Sequence, residues 1–192
     1  VVQPQRRGAA DAVMQAVPTL RARGVHNFLV TYADMPLWRT RTIERLMELH
    51  CSKRNPPVSM VSVPLLRGDH PKELERYGRI IRDRVGIIHR IVEPANATEE
   101  ELRRSDSVNP SLWVWNLEWF SQHAPRVPFV QRNDGFHPEK HLPPLIGMAR
   151  RECSRVLEFS LDNPWEALGV NDASELEHVR EIIRTRPKLG NT

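Results

Sequence analysis

Residues 27–32 read NFLVTY, a short run with apolar side chains on both faces that ends before Asp34 and Pro36. A strand apolar on two sides needs cover on both. That condition is met inside an α/β sheet, and the brevity of the run fits a buried strand of a parallel one. The flanking sequence supplies candidate cover. Residues 8–23, GAADAVMQAVPTLRAR, form an Ala-rich helical pattern with Gly24 as a stop, and Pro18 inside it kinks or divides the helix. After the run, Ile43, Leu46, Met47 and His50 recur at helical spacing, with Thr40 or Thr42 available as a cap. NPP then breaks the chain, and VSMVSVPLL reads as a second strand. The opening third is therefore helix, strand, helix, strand, the rhythm of crossovers on an α/β sheet.

The middle changes character. RIIRD and GIIHRIVE are short strands on either side of Asp83-Arg84-Val85-Gly86, a hairpin turn. Thr98 with Glu101 three places on makes a capping box for a brief helix. SVNPSLWVWNL is a strand candidate in which Trp113 and Trp115 face one way and Val114 the other, which points first to core packing, with a sugar or base stacking platform as the alternative. Residues 121–144 are rich in Pro and His and lack periodicity, as in a surface loop. PLIGMARRE is helical and RVLEFSL returns to a strand. Asp172 with Glu175 opens a last helix whose Leu176, Val179 and Ile183 share a face.

Composition narrows function. No segment approaches the roughly 20 apolar residues that span a bilayer, so no membrane partner is expected. Lys and Arg number 28 against 24 Asp and Glu, a small positive excess scattered along the 192 residues. Without a basic stripe or interleaved aromatics, a phosphate-bearing small molecule suits it better than nucleic acid. Only Cys51 and Cys153 are present, with no CxxC, which suits a reducing, cytoplasmic setting. Asp34 stands out because ligands bind at the carboxyl ends of strands in open α/β sheets, and a carboxylate there can hold Mg²⁺ against phosphate oxygens. On residue pattern alone a turn role before Pro36 is equally good.

Six segments, taken in order, carry a resemblance: VQPQRRGAADAV, VTYADMPL, YGRIIRD, RIVEPANATEEE, SVNPSLWVW and EALGVNDASEL. Their joint order and spacing resemble the sugar-phosphate nucleotidyltransferases. Within that family the match is to the uridylyltransferase region of bacterial bifunctional N-acetylglucosamine-1-phosphate uridylyltransferase/glucosamine-1-phosphate acetyltransferase. The resemblance implies an α/β fold, a doubly wound, mostly parallel sheet with a small mixed β portion. It also implies N-terminal truncation, because the family's glycine-rich nucleotide loop, with its Arg and Lys, precedes the matched part. Residues 1–184 would form the partial nucleotidyltransferase domain, with roughly residues 67–120 as the sugar-side mixed portion and 185–192 as a tail or the start of a linker.

The resemblance further implies transfer of a nucleotidyl group from UTP, or another NTP, to a sugar 1-phosphate, N-acetylglucosamine 1-phosphate first, with release of pyrophosphate. Asp34 and Asn171 would be the catalytic pair that holds Mg²⁺. Gln3, Gly8 and Ala9 would join Asp34 in binding the nucleotide, and Gly78, Glu93 and Asn109 would bind the sugar. The family pattern has Thr where this chain has Ala9, and NTG where it has Asn109-Pro110-Ser111. Those changes motivate the inactive-module alternative; weak or no turnover from these residues alone is expected because the family's glycine-rich loop would lie outside them, with a homo-oligomer or a missing N-terminal segment completing the sheet. The alternative reading is a catalytically inactive sugar-nucleotide-binding or protein-interaction module.

Overall fold

In the computed structural model, residues 1–65, 70–131, 138–152 and 156–185 are described. Helix α1 spans Ala9–Ala22 and runs through Pro18 without dividing. It stops as its sequence requires: Gly24 takes φ +67°, Gly24 N donates to Arg21 O and Val25 N to Leu20 O, the paired bonds of a left-handed helix end. Strand β1 is Asn27–Val30, α2 Thr40–Cys51 and β2 Val58–Pro64. The cap of α2 is tertiary. Arg39 occupies the cap position without a side-chain bond, and the buried Glu166 carboxylate accepts from Thr42 Oγ1 (2.6 Å) and Arg39 N (3.4 Å).

Strands β3 (Arg79–Arg82) and β4 (Ile88–Val92) form the expected antiparallel hairpin. Its turn is closed by Asp83 Oδ1, which accepts from Val85 N and Ile87 N, and by Gly86 at φ +82°. Helix α3 (Glu99–Arg104) carries the capping box at Thr98 and Glu101. The run 107–117 does not form one strand. It splits into β5 (Ser107–Val108) and β6 (Trp113–Asn116), because Pro110 has no N–H to give a ladder and Ser111 turns to φ +62°. Helix α4 (Leu117–His123), helix α5 (Pro144–Arg151), strand β7 (Leu157–Ser160) and helix α6 (Ala173–Thr185) complete the chain. Of the anticipated tail, 186–192 lie outside the described residues.

The sheet corrects one expectation. Its order is β1-β6-β2-β5-β3-β4, with β7 on β2, and among the described residues only the β2–β7 pair is parallel. It is not the mostly parallel doubly wound sheet anticipated; the α/β fold has a largely antiparallel, unclosed one. The cause lies in where the chain goes after the hairpin. Strand β6 returns and inserts between β1 and β2, antiparallel to both (Leu29↔Val114, Ser59↔Val114), so β1, β2 and β7 point the same way without β1 and β2 touching. Side-chain periodicity reports the face a residue takes, not the direction of the strand beside it.

Alternation along β6 divides the core as expected. Trp113 and Trp115, fully buried, pack with Phe28, Met60, Phe120 and Ile146 under α1, α4 and α5. Val114 points into the opposite cluster with Leu46, Val61, Val63 and Leu112 under α2. Both indole N–H groups are buried without a hydrogen-bond partner.

Candidate functional site

The two strands of chain that carry Asp34 and Asn171 are far apart in sequence and are stitched together by backbone. Beyond β1 the chain turns, with Met35 N donating to Tyr32 O, and Asp34 O accepts from Val170 N at 2.9 Å. The Tyr77 hydroxyl reinforces the seam by donating to Ala167 O (2.9 Å) and accepting from Gly169 N (3.0 Å). Gly169 fits because a Cβ there would come within 3.1 Å of Met35 Sδ and 3.2 Å of Tyr77 Oη. A small residue at 169 thus lets the segment before α6 lie against the end of β1.

A cleft of about 510 Å³ opens above this seam, and five of the eight residues singled out by sequence, Asp34, Gly78, Glu93, Asn109 and Asn171, line it. They come from the end of β1, the start of β3, the end of β4, the break between β5 and β6, and the segment before α6. Asp34 and Asn171 are exposed to solvent on its walls. Asn171 is fixed from behind: its backbone N (2.7 Å) and its Nδ2 (3.0 Å) both donate to Glu175 Oε2. Glu175 also pairs with Arg76, another residue of the cleft wall. These hydrogen bonds and the Arg76 charge hold the Glu175 carboxyl down at about 2. Asp172, not Asn171, caps α6, through Oδ1 to Glu175 N at 2.9 Å.

Also on the cleft lining, Glu93 has its pKa raised because burial strips water from its carboxyl; the charge of His141 pulls the other way. Gly78 is pressed under it, since a Cβ at 78 would meet Ile91 Cγ2 at 2.9 Å and Glu93 Oε1 at 3.2 Å. Asn109 is buried, and its own loop uses its amide: Oδ1 accepts from Ser111 N at 3.2 Å and Nδ2 donates to Ser111 Oγ at 3.4 Å.

Gln3, Gly8 and Ala9 are not among the residues that line the cleft. Gln3 Nε2 donates to Gly8 O (3.2 Å) and Asp11 Oδ2 (2.7 Å), within its own segment. Gly8, at φ +91°, lies so close to Lys140 that a Cβ would run into the Lys140 backbone. Lys140 N donates to Arg7 O and Ala10 N to Lys140 O, which docks this segment beside the cleft wall at His141. Ala9 packs half-buried against the core under α1.

Sequence reasoning passed over Tyr77 and Arg76 and gave Glu175 only a capping role. Tyr77 adjoins Gly78 in the quoted segment YGRI and was visible there. Arg76 and Glu175 lie 99 positions apart, and no local pattern links them.

The donor set at Asp34 and Asn171 fits Mg²⁺ in kind. A carboxylate and an amide oxygen are hard donors, and this ion keeps several waters while taking one or two protein groups beside substrate phosphates. Among the described residues no group of three or more His, Cys, Asp or Glu could hold a metal ion. A larger hollow of about 800 Å³ lies along β3, β4 and α3, and three of its four arginines are paired: Arg82 with Glu158, Arg90 with Glu101, Arg104 with Glu100. Among the described residues no helix is long and apolar enough to cross a membrane.

No protein-family model matches the chain. It is 32% identical over 187 residues to the bifunctional protein GlmU of Listeria welshimeri, covering 97% of this chain and 38% of that protein. It is 33% identical over 181 residues to GlmU of Burkholderia mallei, covering 94% and 36%, and 28% identical over 185 residues to GlmU of Limosilactobacillus reuteri, covering 96% and 38%. The chain therefore spans under two-fifths of the length of these curated relatives. Among solved structures, CMP:2-keto-3-deoxy-manno-octonic acid synthetase complexed with CTP shares its fold, with a TM-score of 0.57 at 12% identity over 88% of this chain and 66% of that one. The chain is thus similar in sequence to part of the GlmU proteins and in fold to the synthetase.

Proposed function

We propose that the cleft transfers a nucleotidyl group from UTP to a sugar 1-phosphate, N-acetylglucosamine 1-phosphate first, and releases pyrophosphate. The observation that carries this reading is the convergence of Asp34, Gly78, Glu93, Asn109 and Asn171, from five separate segments, on one cleft. Similarity to the GlmU proteins along nearly the whole chain supports it.

In this reading a phosphate oxygen of the sugar phosphate attacks the α-phosphorus of UTP, and the bond to the pyrophosphate leaving group breaks. Asp34 and Asn171 would hold Mg²⁺ through the carboxylate and the amide oxygen. When bound, the ion neutralises phosphate charge and aligns the two phosphates. The protein's own part is positioning, which suits a reaction with little covalent work for side chains. Glu93 accepts from a sugar hydroxyl on the cleft lining. Gly78 and Asn109 shape the floor under the ring, where a Cβ at 78 would displace Glu93.

The test is pyrophosphate release with UTP, Mg²⁺ and N-acetylglucosamine 1-phosphate, with CTP as the competing nucleotide. Asp34→Asn is expected to lower turnover on the order of 10²-fold or more, the scale of losing one charge-stabilising group. Saturable UTP binding without pyrophosphate release would reduce the cleft to a sugar-nucleotide-binding module. The absence of both UTP binding and pyrophosphate release would overturn the reading.

A further inference from the structure

The cleft residue Asn171 is gripped by a carboxylate that does not itself line the cleft. Glu175 Oε2 takes both hydrogen bonds that Asn171 offers, from the backbone N and from Nδ2. An amide whose NH₂ is held on one side presents its oxygen on the other. The second oxygen of Glu175 is held by Arg76, while its backbone N donates to Asp172 as part of the helix cap. Its side chain is only 13% exposed, whereas Arg76 is 62% exposed and reaches it from the cleft wall. Each contact removes a freedom: Arg76 sets the carboxylate, and the carboxylate sets the amide plane.

We propose that Glu175 is the positioning residue that turns the Asn171 carbonyl oxygen toward a divalent cation in the cleft, with Arg76 as the latch that holds Glu175 in place. The inference rests on the reading of Asn171 as a cation ligand, and it adds what that reading lacks, a reason for the amide to face one way. A free asparagine samples several rotamers and both amide orientations, and such loss of preorganisation weakens a weak two-ligand site directly.

Mn²⁺ titrated into the 192-residue chain, with free ion followed by electron paramagnetic resonance, tests both levels, and melting temperature is recorded for each variant. Asn171→Ala is expected to weaken Mn²⁺ binding at least tenfold. Glu175→Ala is expected to weaken it about five- to tenfold. Glu175→Gln, which keeps an oxygen to accept from Asn171, should recover part of the loss. Arg76→Ala should weaken it two- to threefold. Asp172→Ala, which loosens the same helix start without touching the carboxylate, should leave the affinity within twofold. If Asn171→Ala weakens binding and Glu175→Ala does not, Asn171 needs no positioning and the inference falls alone. If Asp172→Ala weakens binding as much as Glu175→Ala, helix integrity is responsible, and the inference falls likewise. If Asn171→Ala leaves Mn²⁺ affinity unchanged, the cation reading of the cleft fails and the inference with it.

Discussion

Asp34 and Asn171 face the same cleft, but what lies beneath them differs. Asp34 follows β1, whose partner β6 carries Trp113 and Trp115 into a core of fully buried side chains and Val114 into another. Asn171 leads into α6, whose one buried residue, Val179, joins a small cluster with Leu37 and Leu168. Beyond that cluster the wall is held by Arg76, Glu175 and Asp172 around the helix start, by the backbone seam at Val170 and Gly169, and by His178 against Glu73 and Trp165. Packing in the sheet is close and resists displacement, whereas exposed ion pairs contribute little and yield to salt. The floor of the cleft is thus a fixed reference. The α6 wall is the part whose geometry can change at small cost, as expected of elements that admit and release ligands.

The comparison can be broken most forcefully at the floor. Trp115→Ala removes a side chain with no exposure that touches Phe120 edge-on at 5.5 Å and stacks on Trp119 at 6.1 Å. A loss of about 3–5 kcal/mol in urea unfolding is expected, the range for large-to-small core changes. Trp115→Phe should cost clearly less, since it also removes an indole N–H buried without a partner. A loss below about 1 kcal/mol for Trp115→Ala would mean that the floor is not the rigid side.

Acid sharpens the contrast, because the two sides titrate in different windows. His50 on α2 is fully buried, bonded to Ser59 Oγ at 2.8 Å and Asn27 Oδ1 at 3.1 Å, so it ties α2 to β2 and β1. Burial lowers its pKa from 6.5 to about 4. Between those values the unfolded chain takes up the proton more readily. The contribution of His50 is complete above pH 6.5 and is lost as pH falls toward 4, in total about 3 kcal/mol. Glu175, held at about 2 by Arg76 and Asn171, keeps its contribution above its ordinary 4.5 and loses it only as pH falls toward 2. The floor therefore loosens in acid before the α6 wall does. His50→Gln should flatten the decline in unfolding free energy between pH 6.5 and 4; an unchanged slope would remove His50 from the account.

Much of this was legible in the sequence, and the failures have physical reasons. Asp83 and Gly86 announced the hairpin, Thr98 and Glu101 the cap of α3, and Trp-Val-Trp the two faces of β6, since each is a local relation between near neighbours. Strand direction was missed because β6 enters between β1 and β2 only after a long excursion, and nothing in NFLVTY or VSMVSVP encodes the neighbour's polarity. Asp34 was singled out by its place after an apolar run, and Gly78, Glu93, Asn109 and Asn171 by resemblance; the five line one cleft. Gln3 and Gly8, also named by resemblance, bond within their own segment and lie against Asp11 and Lys140. The cap on α2 was read as Thr40 or Thr42, yet its anion comes from Glu166, more than 120 residues away. Tertiary caps and ion pairs such as Arg76 with Glu175 leave no periodic trace.

The smallest expected effect discriminates best, because it asks whether the α6 wall moves alone. Val179 is 3% exposed and packs on Leu37 and Leu168, with Val170 and Ile182 at the margin. Val179→Ala deletes two methyl carbons from that cluster, a loss of about 1–2 kcal/mol. If α6 is held as independently as its contacts suggest, the loss appears as local opening. Amide exchange from Glu175 to Thr185 should accelerate about tenfold, while the amides of Val114 and Trp115, in the ladder between β1 and β2, keep their rates. Metal or nucleotide affinity at Asn171 should weaken with the helix, since Glu175 rides on its first turn. Equal acceleration in β6 and α6 would show one cooperative unit, and the contrast between a packed floor and a charge-held wall would not stand.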